Sequence, residues 1–206
     1  MIAKRSMERS VESLKQVYAV VVAIAIGVAI ERLLLDSTTN TIAAWSTIAL
    51  RMPAFLAIVL VLVPFYHGMN RHLDHCYVDR DDGHSKGGPL LWDFFVFFFQ
   101  SCILFAAATA IASDLQSFWF IGGLLLLDIV WAVPAHFAHY RGVKPGVLQW
   151  AAVNLLTLVF AALAGLTDIY PSSWKPVVLA LIVGIRTYAD YRTGWRFYFP
   201  VDQAAA

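Results

Sequence analysis

The sequence has few charged residues for its length. Only 14% of its 206 residues are Asp, Glu, Lys or Arg, whereas soluble domains average roughly 25%. The formal net charge is +1, so there is no strong positive field that would attract nucleic acid. These two shortages argue against a soluble domain and against a nucleic-acid-binding protein.

Several motifs that would identify an enzyme are also missing. The sequence contains no phosphate-binding loop, dinucleotide fingerprint or zinc-ribbon spacing, and no cofactor is predicted. Its two cysteines, Cys76 and Cys102, are too few for a disulfide framework, and we expect both to be reduced thiols. No nucleophile can be placed beside a base and an orienting group by spacing alone.

Long apolar runs dominate what is present, since 60% of the residues are apolar. About 20 helical residues cross a hydrocarbon core of about 30 Å, and only helices satisfy their own backbone there. The sequence therefore predicts an all-α polytopic membrane protein: an N-terminal segment at 1–16, a six-helix transmembrane domain at 17–199 and a tail at 200–206. The six predicted spans lie near residues 17–35, 42–66, 90–112, 117–138, 146–167 and 174–191.

The basic residues predict how these spans are oriented. Cytoplasmic loops carry an excess of Lys and Arg, and only Lys175 falls in a loop on the other side. Both termini are therefore predicted to be cytoplasmic, and the bilayer is expected to be the inner membrane of a bacterium. The eleven basic residues on the predicted cytoplasmic side are Lys4, Arg5, Arg9, Lys15, Arg71, Arg80, Lys86, Arg141, Lys144, Arg192 and Arg196.

Charged residues also lie inside the predicted spans, where ionisable groups usually face a bundle interior or a water-filled cavity. Arg51 and Asp128 lie about 13 and about 16 Å below the same membrane face, at 1.5 Å per residue. We hypothesise that they form a buried ion pair, with Glu31 as a shallower competitor for the arginine. Arg186 and Asp190 have the i, i+4 spacing that allows a pair within one helix.

A polar stripe follows the second span, within a predicted amphipathic helix and loop at 67–89. At about 100° per residue its members share one face of a helix that continues past Pro64. We interpret the stripe as a solvated face at a cytoplasmic mouth, where Arg71 and Asp74 can pair, or as a docking surface for a cytosolic protein. Its members are His67, Asn70, Arg71, Asp74 and His75.

Two histidine pairs raise the alternative of a metal site. His72 and His75, and likewise His136 and His139, are spaced i, i+3, and Asp93 is predicted at the same membrane face. Four imidazoles and a carboxylate suit a transition metal, but two such pairs are a weak signal. We rank a histidine-rich metal enzyme third.

The first-ranked function is a channel- or transporter-like polar path. The structural alternative is a set of buried ion pairs that fix the order of the helices and leave no pore. The residues of either arrangement are Glu31, Arg51, Asp128, His139, Arg186 and Asp190. The second-ranked function is a membrane anchor or sensor subunit that docks a cytosolic partner through residues 67–88. Two faces of small or hydrogen-bonding residues would either close the bundle or join copies into a homo-oligomer. They are Ala19, Ala23, Gly27 and Glu31 on the first span, and Asn154, Thr157, Ala161, Ala164, Gly165 and Asp168 on the fifth.

Overall fold

The computed structural model describes residues 2–36, 38–79, 87–113, 115–140 and 147–200. Within these ranges the chain is almost entirely helical, with one isolated bridge between Leu35 and Ile42 as its only β pairing. Two predicted regions lie partly outside the described residues, namely 80–86 of the helix and loop at 67–89 and 201–206 of the tail. The basic residues outside the described ranges are Arg80, Lys86, Arg141 and Lys144. The α-helices are α1 (Ile2–Leu34), α2 (Trp45–Leu73), α3 (Gly87–Thr109), α4 (Gln116–Ala135), α5 (Val147–Leu166) and α6 (Lys175–Tyr198).

Three short helical turns extend these elements. A π-helix, π1 (Asp74–Val78), continues α2, and a second, π2 (His136–Tyr140), continues α4. A 3₁₀ turn, Ser172–Trp174, precedes α6. The prediction that the second span continues as a helix beyond Pro64 is therefore confirmed.

Five helices are long and apolar enough to cross a membrane. Their ranges are Arg5–Leu34, Trp45–Val78, Pro89–Thr109, Gln116–Ala135 and Val147–Leu166. This is the architecture of a helical integral membrane protein. The sixth predicted span coincides with α6, which is not among these five helices because its charged residues leave no apolar stretch as long as theirs.

The six helices close into a ring. α1 packs against α2 and α3, α2 against α6, α6 against α5, α5 against α4, and α4 against α3. Polar faces on neighbouring helices therefore point into one interior. The fifth-span face of small and polar residues lies inside the ring, with Asn154, Thr157 and Ala164 buried, whereas Ala23 and Gly27 of α1 are exposed.

The two ends of the ring differ, and each half of the bundle takes the name of the end that it includes. The turn end holds the α1–α2, α3–α4 and α5–α6 connections, and the histidine end holds π1 and π2. The turn half is filled by small and aliphatic side chains, among them Ala25, Ala57, Ile58, Leu104 and Leu124. The core of the histidine half is richer in aromatic rings and includes Tyr18, Phe97, Trp131, Phe197 and Tyr198.

Exposed aromatic residues occur at the helix ends, as expected where rings meet a membrane–water interface. Phe197 and Tyr198 near the end of α6, however, are buried, so these two rings do not face such an interface. The exposed tryptophans are Trp45, Trp92, Trp119, Trp174 and Trp195.

Arg51 lies at the turn end and does not contact Asp128. Its Nη1 donates to the backbone oxygens of Arg32 and Leu35, each over 2.9 Å. These carbonyls have lost their partners because α1 ends there, and they form the negative end of the helix dipole. The predicted Arg51–Asp128 pair is therefore wrong, and Glu31 is exposed on α1.

Asp36 organises the turn that Arg51 holds against α1. Its Oδ1 accepts hydrogen bonds from the Thr38 hydroxyl and from the backbone N–H groups of Thr38 and Thr39. These bonds, the Thr38 hydroxyl first, hold the pKa of Asp36 below its ordinary value. Asn40 has a φ of 54°, which asparagine tolerates better than most residues.

Candidate functional site

The buried ionisable side chains of the described residues all lie in the histidine half. They are His72, Asp93, His139, Arg186 and Asp190, and the half-buried Asp128 joins them. Embedded ionic groups need partners because lipid provides none. Two connected groups of side chains supply those partners.

The first group, the Asp128 network, joins α3, α4, α5 and α6. Gln100 donates to Oδ1 of Asp128 over 3.3 Å, and Asn154 donates to Oδ2 over 2.5 Å. The side-chain oxygen of Asn154 accepts from Nε of Arg186 over 2.9 Å. One amide therefore links the carboxylate of α4 to the guanidinium of α6.

The same network continues along α6. Nη1 of Arg186 lies 3.0 Å from Oδ2 of Asp190, so the predicted i, i+4 pair is confirmed. The Tyr198 hydroxyl donates to Oδ1 of Asp190 over 2.9 Å. When both carboxylates of the network, Asp128 and Asp190, are ionised, its single guanidinium leaves it with a charge of −1.

The second group, the Asp93 cluster, joins α2, π1, α3 and α4. Oδ2 of Asp93 lies 2.7 Å from Nε2 of His72 and accepts a hydrogen bond from the Tyr77 hydroxyl over 2.6 Å. Oδ1 accepts from the Trp131 indole over 2.8 Å. His139 of π2 completes the cluster, with its Nε2 3.5 Å from the Tyr77 hydroxyl.

The π-helices bring side chains into the Asp93 cluster. In π1 the N–H of Asp79 bonds to the carbonyl of Asp74, five residues earlier. In an α-helix, residue i+5 is rotated by about 140° from residue i, but the wider π turn brings it closer to the side of residue i. Tyr77 can therefore share the side of the helix that His72 occupies. In π2, Pro134 precedes the segment and removes a backbone donor just before it.

A cavity of about 50 Å³ lies between the two groups, enough for about three water molecules. His72 and Trp131 border it from the Asp93 cluster. Gly68 of α2 also lines it, and an added Cβ there would lie 3.3 Å from the Tyr198 hydroxyl. The other network residues on its wall are Asp128, Arg186, Asp190 and Tyr198.

The structure brings together some of the residues predicted for a polar path and separates others. Asp128, Arg186 and Asp190 share one network, and His139 lies in the adjacent cluster. Glu31 and Arg51 lie at the turn end instead. The apolar core of the turn half separates them from the cavity.

The polar stripe of α2 and π1 packs against α6. The His67 ring lies 4.9 Å from the Tyr198 ring, between centroids. Nε of Arg71 donates to the backbone oxygen of Phe197 over 3.2 Å, and the His75 ring lies 6.1 Å from the Phe197 ring. These three side chains are half-buried, so this face of the helix is not the solvated face that was predicted.

The rest of the stripe is also engaged within the chain. Asp74 forms an ion pair with Lys15 of α1, and Asn70 donates to a backbone carbonyl of its own helix. Arg71 has Asp79 as a carboxylate neighbour at 3.9 Å. The predicted Arg71–Asp74 pair is replaced by contacts that join α1, π1 and α6, so a docking partner would have to displace them.

The metal candidates divide between different surroundings. His72, His139 and Asp93 come together, whereas His75 contacts Phe197 and the His136 ring packs against the neighbouring Phe137 ring. Within the described ranges, no three His, Cys, Asp or Glu side chains converge in a way that could hold a metal ion.

Sequence reasoning did not place Tyr77 in the Asp93 cluster or Tyr198 in the Asp128 network. Tyr77 falls on the apolar side of an ideal α-helix, because the π turn is invisible to an α-helical period. Tyr198 lies near the end of α6, where an aromatic residue suits an interfacial anchor. The available signal was the polar Asn154 in an apolar span, which indicates that its partners lie inside the bundle.

Comparisons with known proteins give no match to this chain. No family model, curated protein sequence or solved structure matches it.

Proposed function

We propose that this chain is a transporter-like membrane protein that takes up a proton or a monovalent cation at the Asp128 network. The observation that carries the proposal is the charge count around the cavity. Two embedded carboxylates, Asp128 and Asp190, share the single guanidinium of Arg186 beside a space large enough for water.

An unbalanced negative charge in a bundle interior is expensive, so a positive partner is strongly favoured. Asp190 already has Arg186 and the Tyr198 hydroxyl. Among the residues that the structure describes, the hydrogen-bond donors to Asp128 are two neutral amides, those of Gln100 and Asn154. Asp128 is therefore the carboxylate that receives the proton or cation.

The apolar turn half supports a gated mechanism rather than a permanently open pore. The core that includes Ile58, Leu104 and Leu124 fills the interior between the cavity and the turn end. Passage of an ion from Asp128 to the turn end would require the turn half to rearrange, and alternating access relies on such rearrangements.

The proposed topology has six spans, with both termini on the cytoplasmic side of a bacterial inner membrane. α6 has 24 residues, which at 1.5 Å each give about 36 Å, enough to cross a bilayer. Its two most deeply buried charges, Arg186 and Asp190, neutralise each other. Labelling that placed the two termini on opposite sides of the membrane would contradict six spans.

Ion flux in proteoliposomes tests the function. A K⁺ diffusion potential drives cation entry, a trapped pH dye reports protons, and a Na⁺-sensitive dye reports the alternative ion. We expect wild-type protein to show uptake of one of these ions and Asp128→Asn to lose it.

Asp168→Asn is the matched control, because it makes the same chemical change at a fully exposed carboxylate near the turn end. It should transport like wild type. Absence of wild-type flux across ions and pH values, or full flux through Asp128→Asn, would refute the proposal.

A further inference from the structure

Cys76 lies beside a histidine that a carboxylate orients. Its Sγ is 3.6 Å from Nδ1 of His72, and the other ring nitrogen, Nε2, is 2.7 Å from Oδ2 of Asp93. His72 and Asp93 are buried, whereas Cys76 is half-buried. A nucleophile within reach of a base that is held by a third group is the general arrangement of a covalent catalytic site.

The hydrogen bonds favour the tautomer that this chemistry needs. Because the Asp93 carboxylate accepts a hydrogen bond from Nε2, Nδ1 of His72 is the ring nitrogen that faces the thiol and can exchange a proton with it. Asp93 is itself fixed by the Tyr77 hydroxyl and the Trp131 indole. The imidazole therefore cannot turn away from Cys76 without breaking bonds to buried partners.

The position of Cys76 indicates the substrate class. The second candidate span, Trp45–Val78, has 34 residues, which at 1.5 Å each give about 51 Å, more than a hydrocarbon core of about 30 Å. Its last turns, which carry Cys76, therefore extend beyond the core, and cysteines in such juxtamembrane positions are acylated in other membrane proteins. Cys102 follows Asp93 by nine residues on α3, so the two residues lie about 14 Å apart along that helix. Because Cys76 lies beside the His72–Asp93 pair, Cys102 is too far away to form a disulfide with it.

We propose that Cys76 is a nucleophilic thiol that accepts a long-chain acyl group from an acyl thioester, with His72 as its base and Asp93 as the positioning residue. Nδ1 of His72 takes the thiol proton, and Sγ attacks the thioester carbonyl carbon. The bond from that carbon to the donor sulfur breaks, and His72 returns the proton to the departing thiolate. The step consumes the Cys76 thiol and the donor thioester and produces a Cys76 thioester and a free donor thiol, so it needs no oxidant or reductant.

The test is acyl transfer to purified protein in lipid nanodiscs. The probe is a long-chain acyl-CoA with a terminal alkyne, and the readout is a label that hydroxylamine removes. We expect Cys102→Ser to be labelled like wild type and Cys76→Ser to be unlabelled. In the Cys102→Ser background, His72→Gln should slow labelling by about 100-fold or more, the usual contribution of a general base.

Asp93 has its own test, because its substitution could act through folding alone. Asp93→Asn should slow labelling by about 10-fold or more by releasing the imidazole, and Asp93→Glu should restore much of the rate. Equal rates for these two folded variants would show that Asp93 does not position the base. Labelling confined to Cys102, or labelling of Cys76 that His72→Gln leaves unchanged, would overturn the proposal.

A further measurement needs no change at a buried residue. In Cys102→Ser, the alkylation of Cys76 by iodoacetamide at neutral pH is compared between folded protein and protein unfolded in SDS. The fold should accelerate the reaction, because only the folded chain places His72 against the thiol. Faster alkylation after unfolding would contradict an activated thiol.

Discussion

The two halves of the bundle differ in the side chains that fill them and in the regularity of their helices. The turn half is filled with alanine and aliphatic side chains, and its embedded arginine, Arg51, bonds to free carbonyls at a helix end. The histidine half holds a cavity, two π-helices and every buried ionisable side chain of the described residues. Helix irregularity and embedded charge therefore occur together.

This difference indicates that the two halves have different structural roles. Regular helices with small residues on their faces pack closely against one another. π turns are unusual, and they occur frequently at functional sites. The histidine half thus has the features of a site, and the turn half has those of a scaffold.

The largest expected effect comes from removing the one guanidinium of the Asp128 network. Arg186→Leu should lower the free energy of unfolding by about 3–5 kcal/mol, because it leaves buried carboxylates without a cation. Thermal unfolding in detergent measures the change. Arg192→Leu, an exposed position on the same helix, should change stability by less than about 0.5 kcal/mol. Equal losses for the two variants would mean that the network carries no special stability.

A smaller loss is expected from a cavity in the turn half. Leu124 is 2% exposed, and Leu124→Ala should cost about 2 kcal/mol, near the low end for such changes, because the unfolded chain stays in lipid. Leu126 on the same helix is exposed, and its change to Ala should have little effect. Unfolding in mixed detergent measures both, and a cost at Leu126 that matched the cost at Leu124 would contradict the assigned interior.

Glycine substitutions compare how closely the two halves are packed. A Cβ at Gly194 would lie 2.9 Å from Cε2 of Tyr198 and 3.1 Å from Nε1 of Trp150, so Gly194→Ala should destabilise by about 1–2 kcal/mol. A Cβ at Gly123 would meet no atom within 4 Å. Gly123→Ala should stabilise by about 0.5 kcal/mol, through helix propensity. Melting temperatures that moved in the same direction for both would contradict the difference in packing.

The smallest expected effect is a coupling energy near zero. Arg51 and Asp128 lie in different halves and share no partner, so losses from Arg51→Ala and Asp128→Ala should add within about 0.5 kcal/mol. Arg186 and Asp128 both bond to Asn154, and their double-mutant cycle should deviate by about 1 kcal/mol or more. Coupling of Arg51 to Asp128 instead would mean that the halves communicate directly.

The sequence predicted those features that depend on distance along one helix. Apolar runs located the helices within a few residues, except that α1 begins at Ile2, α6 continues to Tyr198 and α2 continues to Leu73. The continuation of α2 was predicted from its polar stripe rather than from an apolar run. The Arg186–Asp190 pair followed from i, i+4 spacing because both partners share a helix.

Contacts between helices were not predictable in the same way. Depth in the membrane matched Arg51 to Asp128, but depth says nothing about which helices are neighbours or which way a side chain points. Arg51 donates to backbone carbonyls at the end of α1 rather than to a carboxylate. The Asp93 cluster requires both the ring order of the helices and a π turn, and α-helical periodicity reveals neither.

Infrared difference spectroscopy tests the central claim most directly, since it detects whether Asp128 binds a proton or cation. Spectra of the protein in lipid are compared between low and high pH, and with and without Na⁺. We expect a carboxyl band that responds to one of these changes, disappears in Asp128→Asn and persists in Asp168→Asn. Identical difference spectra for wild type and Asp128→Asn would contradict the claim that Asp128 receives the ion.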